Sequence, residues 1–210
     1  MIISVTGFIG SGKDTVANYL TSVHGFKKES FAGSLKDAVS MIFGWDRSLL
    51  EGNTTYSRTW REQVDPWWSD RLNIPELTPR WVLQNWGTEV ARNHFHDDIW
   101  IASLENKITQ SKDDIVITDT RFPNELEAIK RANGKTIRIH RGPKPLWYND
   151  AAAVNRGEAH IGWILAKSRL WDANVHPSEY MSVGLNYDYE IENDGTIDDL
   201  HKKIKTILSY

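Results

Sequence analysis

The stretch G-F-I-G-S-G-K has the spacing of a phosphate-binding loop: Gly7, four residues, Gly12 and then Lys13. Glycines allow the backbone dihedral angles and the close approach that point several N–H groups at one anion. A helix beginning near Lys13 adds the positive end of its dipole, and the lysine ammonium adds a full charge opposite the β- and γ-phosphates. The pattern therefore predicts a site for the phosphate tail of a nucleoside triphosphate, in preference to a glycine-rich turn with a solvated lysine.

The residue after the lysine departs from the commonest form of this loop. Many such loops place a Mg²⁺-binding hydroxyl there, whereas this chain has Asp14 and supplies its hydroxyl one position later, at Thr15. The spacing G-K-x-T is a second form of the loop, found in small-molecule kinases such as adenylate kinase, in which water carries more of the metal coordination. Asp14 either starts the helix, where its charge suits the dipole, or meets the phosphates through Mg²⁺. We expect a helix-start role with a water-mediated metal contact.

A second group of residues that could bind a ligand or take part in a reaction lies in T-D-T-R-F-P-N-E. Asp119 ends a predicted strand, where an acid can hold Mg²⁺ through water or accept a hydrogen bond from a substrate hydroxyl; capping of the following helix is the alternative. Arg121 offers a guanidinium that matches a phosphate with two hydrogen bonds and keeps its charge. Glu125 adds a second acid at the same strand end.

Transfer of a phosphoryl group between two anions requires more positive charge than one lysine supplies. The candidate cations are Lys36, Arg58, Arg61, Arg80, Arg121 and Arg141. Gly87 and Thr88 lie within an otherwise helical stretch from Pro79 to about His94. They indicate either the close approach of a ligand or tight packing between helices.

Strands alternate with helices along the chain, and this order limits how the site can be assembled. Apolar and β-branched runs at 2–6, 115–118, 135–142 and 189–193 predict strands, with amphipathic helices between them. Residues 45–77 predict loops and short helices, and 143–157 predict a loop. Such alternation favours a parallel sheet covered on both faces. The predicted fold is α/β, a three-layer α/β/α sandwich around a mostly parallel sheet of about five strands, with its site at their carboxyl ends.

Composition narrows the class of protein. The chain has 210 residues, of which 40% are hydrophobic and 25% charged, and its net charge is −3. These values are typical of a globular protein and argue against a general nucleic-acid binder. The absence of cysteine excludes disulfides and thiolate chemistry, and no stretch approaches the roughly 20 apolar residues of a membrane span. We expect a cytoplasmic protein without nucleic-acid or membrane partners.

Five segments together resemble the bacteriophage deoxynucleoside monophosphate kinases, relatives of adenylate and guanylate kinases. The segments are S-G-K-D-T, A-G-S-L-K-D-A, V-L-Q-N-W-G-T-E-V with H-F-H-D-D-I-W, V-I-T-D-T-R-F-P-N-E and I-E-N-D-G-T-I-D-D-L. They occur in the expected order over most of the chain. The resemblance implies a P-loop kinase fold, with ATP and Mg²⁺ on the loop and a nucleoside monophosphate facing it. The acceptor would be a deoxynucleoside 5′-monophosphate, and the products its diphosphate and ADP.

The resemblance also implies roles for individual residues, with Lys13, Asp119 and Arg121 as the catalytic ones. The residues that would bind ATP are Gly10, Ser11, Gly12, Lys13, Asp14 and Thr15, of which Asp14 and Thr15 would also contact the metal. The residues that would bind the monophosphate are Leu35, Lys36, Arg58, Arg80, Gly87, Thr88, Trp100, Asp119, Arg121, Phe122 and Glu125. Some family members carry a basic pair where this chain has Phe8 and Ile9. We therefore expect Arg141 to supply extra charge for ATP. Trp100 either stacks on the nucleobase or packs in a helical core.

The resemblance further implies the organisation of the chain. We expect a single P-loop kinase domain at 1–210, with a substrate-binding helical insertion at about 33–112 and a lid at about 143–187. The phage relatives suggest a homodimer in the host cytoplasm. Two other functions stay open. One is a kinase of another small phosphorylated acceptor, such as phosphomevalonate or dephospho-coenzyme A. The other is an ATP-hydrolysing DNA-handling protein, against which the short, acidic chain argues.

Overall fold

The structure, a computed structural model, describes residues 1–157 and 161–209 and divides into two compact units. The first unit comprises Met1–Ser30 and Lys107–Tyr210, and the second comprises Phe31–Asn106. The glycine loop and the T-D-T-R segment belong to the first unit. The expected lid at 143–187 also belongs to it, although residues 158–160 of that range lie outside the described residues.

A parallel sheet forms the centre of the first unit. In the described part of the chain it has five strands: β1 (Ile2–Thr6), β2 (Lys27–Glu29), β3 (Ile115–Ile117), β4 (Lys135–His140) and β5 (Tyr189–Glu192). Their order is β2-β3-β1-β4-β5, and all neighbouring pairs are parallel. Strand β1 is therefore central, and the glycine loop leaves the middle of the carboxyl edge. The predicted fold is confirmed, although the sequence pattern missed β2.

Helices cover both faces of this sheet. Helix α1 (Lys13–His24) and a C-terminal helix, Ile197–Leu208, share one core with Ile3 and Val5 of β1. Because side chains alternate along a strand, Ile2 points to the opposite face, where it lies near Ile129 of the helix Pro123–Arg131. These contacts complete the helix–sheet–helix layers.

The segment between β4 and β5 is more helical than its sequence predicts. It contains Tyr148–Asn155, Ile161–Asp172 and Pro177–Tyr180. The loop prediction for 143–157 is therefore wrong over Tyr148–Asn155. Ala151 and Ala152 of that helix are buried against Leu170 and Val183, so tertiary packing stabilises a helix whose own amphipathic pattern is weak.

The second unit consists of helices around a core of aromatic and aliphatic side chains. In chain order it contains Gly33–Phe43 (α2), the 3₁₀ helix Leu49–Glu51, Thr55–Arg61 (α3), Pro66–Leu72 (α4), Pro79–Gln84 (α5), the π-helix Asn85–Phe95 and most of Ile99–Gln110 (α6). The prediction of short helices and loops over 45–77 is confirmed. The helices of the first unit continue the numbering as α7 (Pro123–Arg131), α8 (Tyr148–Asn155), α9 (Ile161–Asp172), α10 (Pro177–Tyr180) and α11 (Ile197–Leu208). None of the helices described is both long and apolar enough for a bilayer crossing.

Candidate active site

The loop between β1 and α1 has a backbone that requires glycine. Gly12 precedes the helix with φ of 109°, in the left-handed region, and a Cβ atom there would lie 2.7 Å from the Asn193 side-chain nitrogen. Gly7 has φ of 148°, and a Cβ atom at this position would lie 2.5 Å from the carbonyl oxygen of Ile139. The glycines thus permit both the dihedral angles and the close packing of the loop against β4 and Asn193.

The start of α1 presents donors that the protein itself leaves largely unused. Within the described residues, no side chain caps the helix at Gly12, and the first N–H groups of any helix lack intrahelical acceptors. The Ser11 hydroxyl is buried and has no hydrogen-bond partner in the described part of the chain. The Lys13 ammonium donates to the carbonyl oxygen of Phe8, at 2.8 Å, and so folds back over the loop. This cradle fits a phosphate chain.

Positive charge accumulates around Lys13. Burial lowers the pKa of Lys13, and the nearby charges of Arg121 and Arg138 lower it further, while Asp14 acts in the opposite direction. Such a group of cations gains when an anion binds among them. Lys13, Asp14 and Arg121 therefore lie close enough for their charges to influence one another.

Asn193 holds the loop in place and was not predicted from the sequence. Its buried side-chain amide donates to the carbonyl oxygen of Ser11, at 2.8 Å, across 182 positions of sequence. Its backbone N–H donates to the carbonyl oxygen of His140, at 2.7 Å, which ties this residue, directly after β5, to the last residue of β4. The available signal was an amide directly after a strand, in I-E-N-D-G, but nothing in the local pattern identifies its distant partner.

Asp14 and Thr15 offer oxygen donors beside the loop. The Asp14 side chain is 80% exposed, and its carboxylate lies 3.9 Å from the Lys28 ammonium. Thr15 lines an open groove of about 330 Å³ between α1 and α11, together with Tyr19 and His201. A carboxylate and a hydroxyl suit Mg²⁺, which takes one or two carboxylates and otherwise water and phosphate oxygens. The donor set therefore fits this metal.

The segment after β3 is organised by Glu125. This carboxylate is buried and accepts hydrogen bonds from the backbone N–H groups of Arg121, at 2.8 Å, and Phe122, at 3.2 Å. It thereby caps α7 and holds the Arg121 backbone, while the Arg121 side chain is exposed. Asp119 is half-buried at the carboxyl edge of the sheet. The Thr120 hydroxyl hydrogen-bonds that of Ser4 on β1, at 2.8 Å, which fixes this segment beside the central strand.

Arg138 is a second candidate that the sequence reasoning missed. It lies in β4 with an exposure of 1%, and its guanidinium stands over the ring of Phe8, 5.3 Å from the centroid. The sequence signal was a charged residue inside the otherwise apolar run T-I-R-I. Burying a charge costs free energy, so such a residue indicates a role beyond packing. Arg141, the predicted ATP cation, lies exposed just after β4.

In the second unit, the predicted residues Leu35, Gly87 and Trp100 pack together. A Cβ atom on Gly87 would lie 2.9 Å from a methyl carbon of Leu35, and the Trp100 indole N–H donates to the Gly87 carbonyl oxygen at 2.9 Å. Both tight helix packing and an indole held in the helical core are therefore present. Thr88 is exposed on the π-helix.

The cations of the second unit differ in their charge partners. Lys36 forms an ion pair with Glu51, at 2.7 Å, and Arg80 forms one with Glu62. Arg58 donates to the carbonyl oxygen of Gly52, at 3.0 Å.

Arg61, on the last turn of α3, lies among these cations. Its Nε is buried and lacks a hydrogen-bond partner among the described residues. Burial lowers the pKa of Arg61, and the charges of Arg80 and Arg58 lower it further. Arg61 is therefore the cation of this cluster best suited to gain from a bound anion.

A parallel sheet whose central strand runs into a glycine loop, followed by a helix that starts at lysine, defines a nucleotide-binding protein of the P-loop class. No family model matches the chain. The chain is 45% identical, over 184 residues, to the deoxynucleoside-5′-monophosphate kinase of Escherichia phage T5, with 63% of this chain and 73% of that protein covered. It is 32% identical, over 156 residues, to an Acanthamoeba polyphaga mimivirus protein provisionally named a deoxynucleotide monophosphate kinase, with 67% and 74% covered. The chain belongs to the deoxynucleoside monophosphate kinase family, which confirms the family prediction.

Solved structures overlap with the chain more loosely. Shikimate kinase from Aquifex aeolicus has a TM-score of 0.46 at 13% identity, covering 100% of this chain and 96% of its own. Dephospho-CoA kinase from Campylobacter jejuni has a TM-score of 0.47 at 17% identity, covering 99% and 95%. At these values neither carries an argument about function.

Proposed function

We propose that the protein transfers the γ-phosphoryl group of ATP to a deoxynucleoside 5′-monophosphate, giving the deoxynucleoside diphosphate and ADP. The observation that carries this proposal is the glycine loop. It combines an uncapped helix start, a buried unpartnered hydroxyl and a lysine in a chain of this family. The family names supply the class of acceptor.

The loop would hold the phosphate tail of ATP. Backbone N–H groups from Gly10 to Thr15, the Ser11 hydroxyl and the Lys13 ammonium would surround the β- and γ-phosphates, and Arg141 would add charge. Asp14 and Thr15 would hold Mg²⁺, directly or through water. Bound there, Mg²⁺ would neutralise charge on the β- and γ-phosphates.

For the acceptor, we propose a role for Arg121, supported by Glu125, with Asp119 and Phe122 beside it. Within the helical unit, taken by itself, the residues proposed for acceptor binding are Leu35, Lys36, Arg58, Arg80, Gly87, Thr88 and Trp100, and we add Arg61. We propose that the helices at about 33–112 are a substrate-binding insertion in one kinase domain, and that 143–187 closes as a lid. The compactness of Phe31–Asn106 supports the first of these assignments.

The reaction needs little proton chemistry. An oxygen of the acceptor phosphate is already anionic, so it attacks the γ-phosphorus without a strong general base. A new P–O bond forms as the bond from the γ-phosphorus to its β–γ bridging oxygen breaks, and that electron pair leaves with ADP. The protein would act by aligning the two anions and neutralising their charge through Lys13 and Arg121. We further propose that it works in the cytoplasm on small nucleotides, as a homodimer.

The test is an acceptor panel with the purified protein, ATP and Mg²⁺. Ribo- and deoxyribonucleoside monophosphates, phosphomevalonate and dephospho-coenzyme A are compared by ADP formation, with double-stranded DNA as a further addition. We expect turnover with deoxynucleoside monophosphates. Turnover confined to another acceptor, or ATP hydrolysis stimulated by DNA, would contradict the proposal.

A variant of Lys13 tests the assignment of the loop. Lys13→Met removes the charge opposite the phosphates, so turnover should fall by a factor of about 10³ or more, while circular dichroism shows a folded protein. Lys205→Met, at an exposed lysine in the last turn of α11, is the matched control. Near-normal turnover of the Lys13 variant would refute this role for the lysine.

A further inference from the structure

Arg138 lies directly behind the glycine loop. In the register of the sheet it stands beside Thr6, the last residue of β1, and Gly7 begins the loop immediately afterward. The ring of Phe8 rests against its guanidinium, and the carbonyl oxygen of Phe8 accepts the hydrogen bond of the Lys13 ammonium. One loop residue therefore separates two cations, one buried beneath the loop and one folded over it.

The surroundings of Arg138 satisfy only part of its guanidinium. One terminal nitrogen, Nη1, donates to the carbonyl oxygen of Ser182 at 2.5 Å, and lies 3.3 Å from the Ser182 hydroxyl and 3.4 Å from that of Tyr187. The rings of Phe8 and Tyr187 lie 5.3 and 5.6 Å from the guanidinium carbon. The remaining nitrogens, Nε and Nη2, are buried and find no acceptor in the described residues.

The charge of Arg138 is not balanced within the described chain. No carboxylate of residues 1–157 or 161–209 forms an ion pair with it, although it is 1% exposed and an arginine keeps its proton in proteins. A buried cation without a counter-ion is costly, and contacts with aromatic rings offset only part of that cost. The folded protein therefore carries an uncompensated positive charge under its anion-binding loop.

A purely structural tie between β4 and the segment before β5 does not explain this arrangement. The Tyr187 hydroxyl already donates to the Ser182 carbonyl oxygen, at 2.7 Å, so this acceptor keeps a partner without Arg138. An apolar side chain of similar length would fill the same space without a desolvated charge. The buried positive charge of Arg138 therefore requires an explanation other than packing.

We propose that Arg138 is the fixed counter-charge of the phosphate tail: its buried positive charge strengthens the binding of polyphosphate in the glycine loop, and its guanidinium holds the ring of the loop residue Phe8 in position. Because the charge lies in a low-dielectric interior, it acts through the loop more strongly than an exposed cation would. The bound anion in turn offsets the cost of burying Arg138. This inference rests on the proposed function, which places ATP in the loop.

The experiment uses the full chain with two substitutions of Arg138. Arg138→Gln removes the charge but keeps a shorter polar side chain, while Arg138→Met removes both the charge and the polar group. Arg131→Met, at the exposed end of α7, is the matched control. Calorimetry measures the binding of inorganic tripolyphosphate and of ATP, and urea unfolding without ligand measures stability.

We expect both Arg138 variants to bind tripolyphosphate and ATP about tenfold more weakly than the wild type, with unfolding in the absence of ligand no easier than in the wild type. The control should match the wild type in both measurements. Unchanged binding by Arg138→Gln would overturn the inference while leaving the proposed function intact. Variants that fail to fold would also overturn it, because a structural tie would then explain Arg138. A wild-type protein that binds neither tripolyphosphate nor ATP would overturn the proposed function itself.

Discussion

Replacing Asn193 by aspartate tests whether the glycine loop is held in place from the far end of the sheet. The Asn193 amide donates to the Ser11 carbonyl oxygen at 2.8 Å, and the residue is 6% exposed. Asn193→Asp keeps the shape of the side chain but replaces the donor by an oxygen, so two acceptors would face one another. We expect weaker binding of ATP and a less stable protein.

The size of the effect follows from these contacts. Leaving a buried carbonyl without its donor lowers the free energy of unfolding by about 1–3 kcal/mol. The repulsion between the two oxygens places the expected loss above the lower end of this range. We therefore expect the free energy of unfolding to fall by about 2 kcal/mol. If the same bond holds the loop in its anion-binding conformation, the affinity for ATP should fall by a factor of up to about 30, the equivalent of that energy.

Denaturant unfolding and calorimetric titration with ATP measure the two quantities. Asn149→Asp, at an exposed position of α8, makes the same chemical change away from the loop and should leave both values near those of the wild type. If the Asn193 variant behaved like this control, the hydrogen bond would have no part in positioning the loop. A loss of stability without any loss of ATP affinity would show that Asn193 stabilises the fold but does not prepare the site.

Two further substitutions test the loop and the second unit. Gly12→Ala forces a side chain into a left-handed backbone, φ 109°, and against Asn193, so the free energy of unfolding should fall by about 1–3 kcal/mol and ATP binding should weaken. Gly162→Ala, where the described residues leave open space, is the control, and equal stability of the two variants would refute the strain. In the second unit, burial raises the pKa of Glu51, but hydrogen bonds from Lys36 and Arg47 outweigh it and hold the pKa below its ordinary value. A carboxyl group whose pKa is lower in the folded than in the unfolded protein stabilises the fold at pH values above its unfolded pKa, here 4.5. That stabilisation is lost as the pH falls through the folded pKa. Glu51→Gln should therefore be less stable than the wild type at pH 7, with the difference shrinking below about pH 4.5; a pH-independent difference in denaturant unfolding would contradict this assignment.

The parts of the fold that the sequence predicts are those in which the signal is local. The β1 strand, the glycine loop and α1 follow one another directly, and each has its own pattern of residues. Strand β2 was missed because K-K-E has no apolar alternation; it pairs only with β3, at the edge of the described sheet. Edge strands of this kind take their structure from the neighbouring strand rather than from their own composition.

The candidate site was predicted where a motif is contiguous and missed where its parts meet across the fold. Lys13 and Arg121 were identified because each lies in a recognisable segment. Asn193 and Arg138 were not, since the first acts on Ser11 and the second on Phe8, both far away in sequence. Their residue types suggested polar groups in unusual places, but the purpose of those groups depends on the order of strands, which a single sequence does not contain.

The hydrogen bond from Asn193 to Ser11 also has a consequence for the order in which the protein matures. During synthesis the glycine loop precedes Asn193 by 182 residues, so this hydrogen bond cannot form until β5 has also been synthesised. Until that strand docks, a nascent chain would expose the loop without holding its shape. If the loop binds ATP as proposed, the newly made polypeptide acquires that ability only once β5 has docked, and a truncated product lacking β5 should not bind ATP.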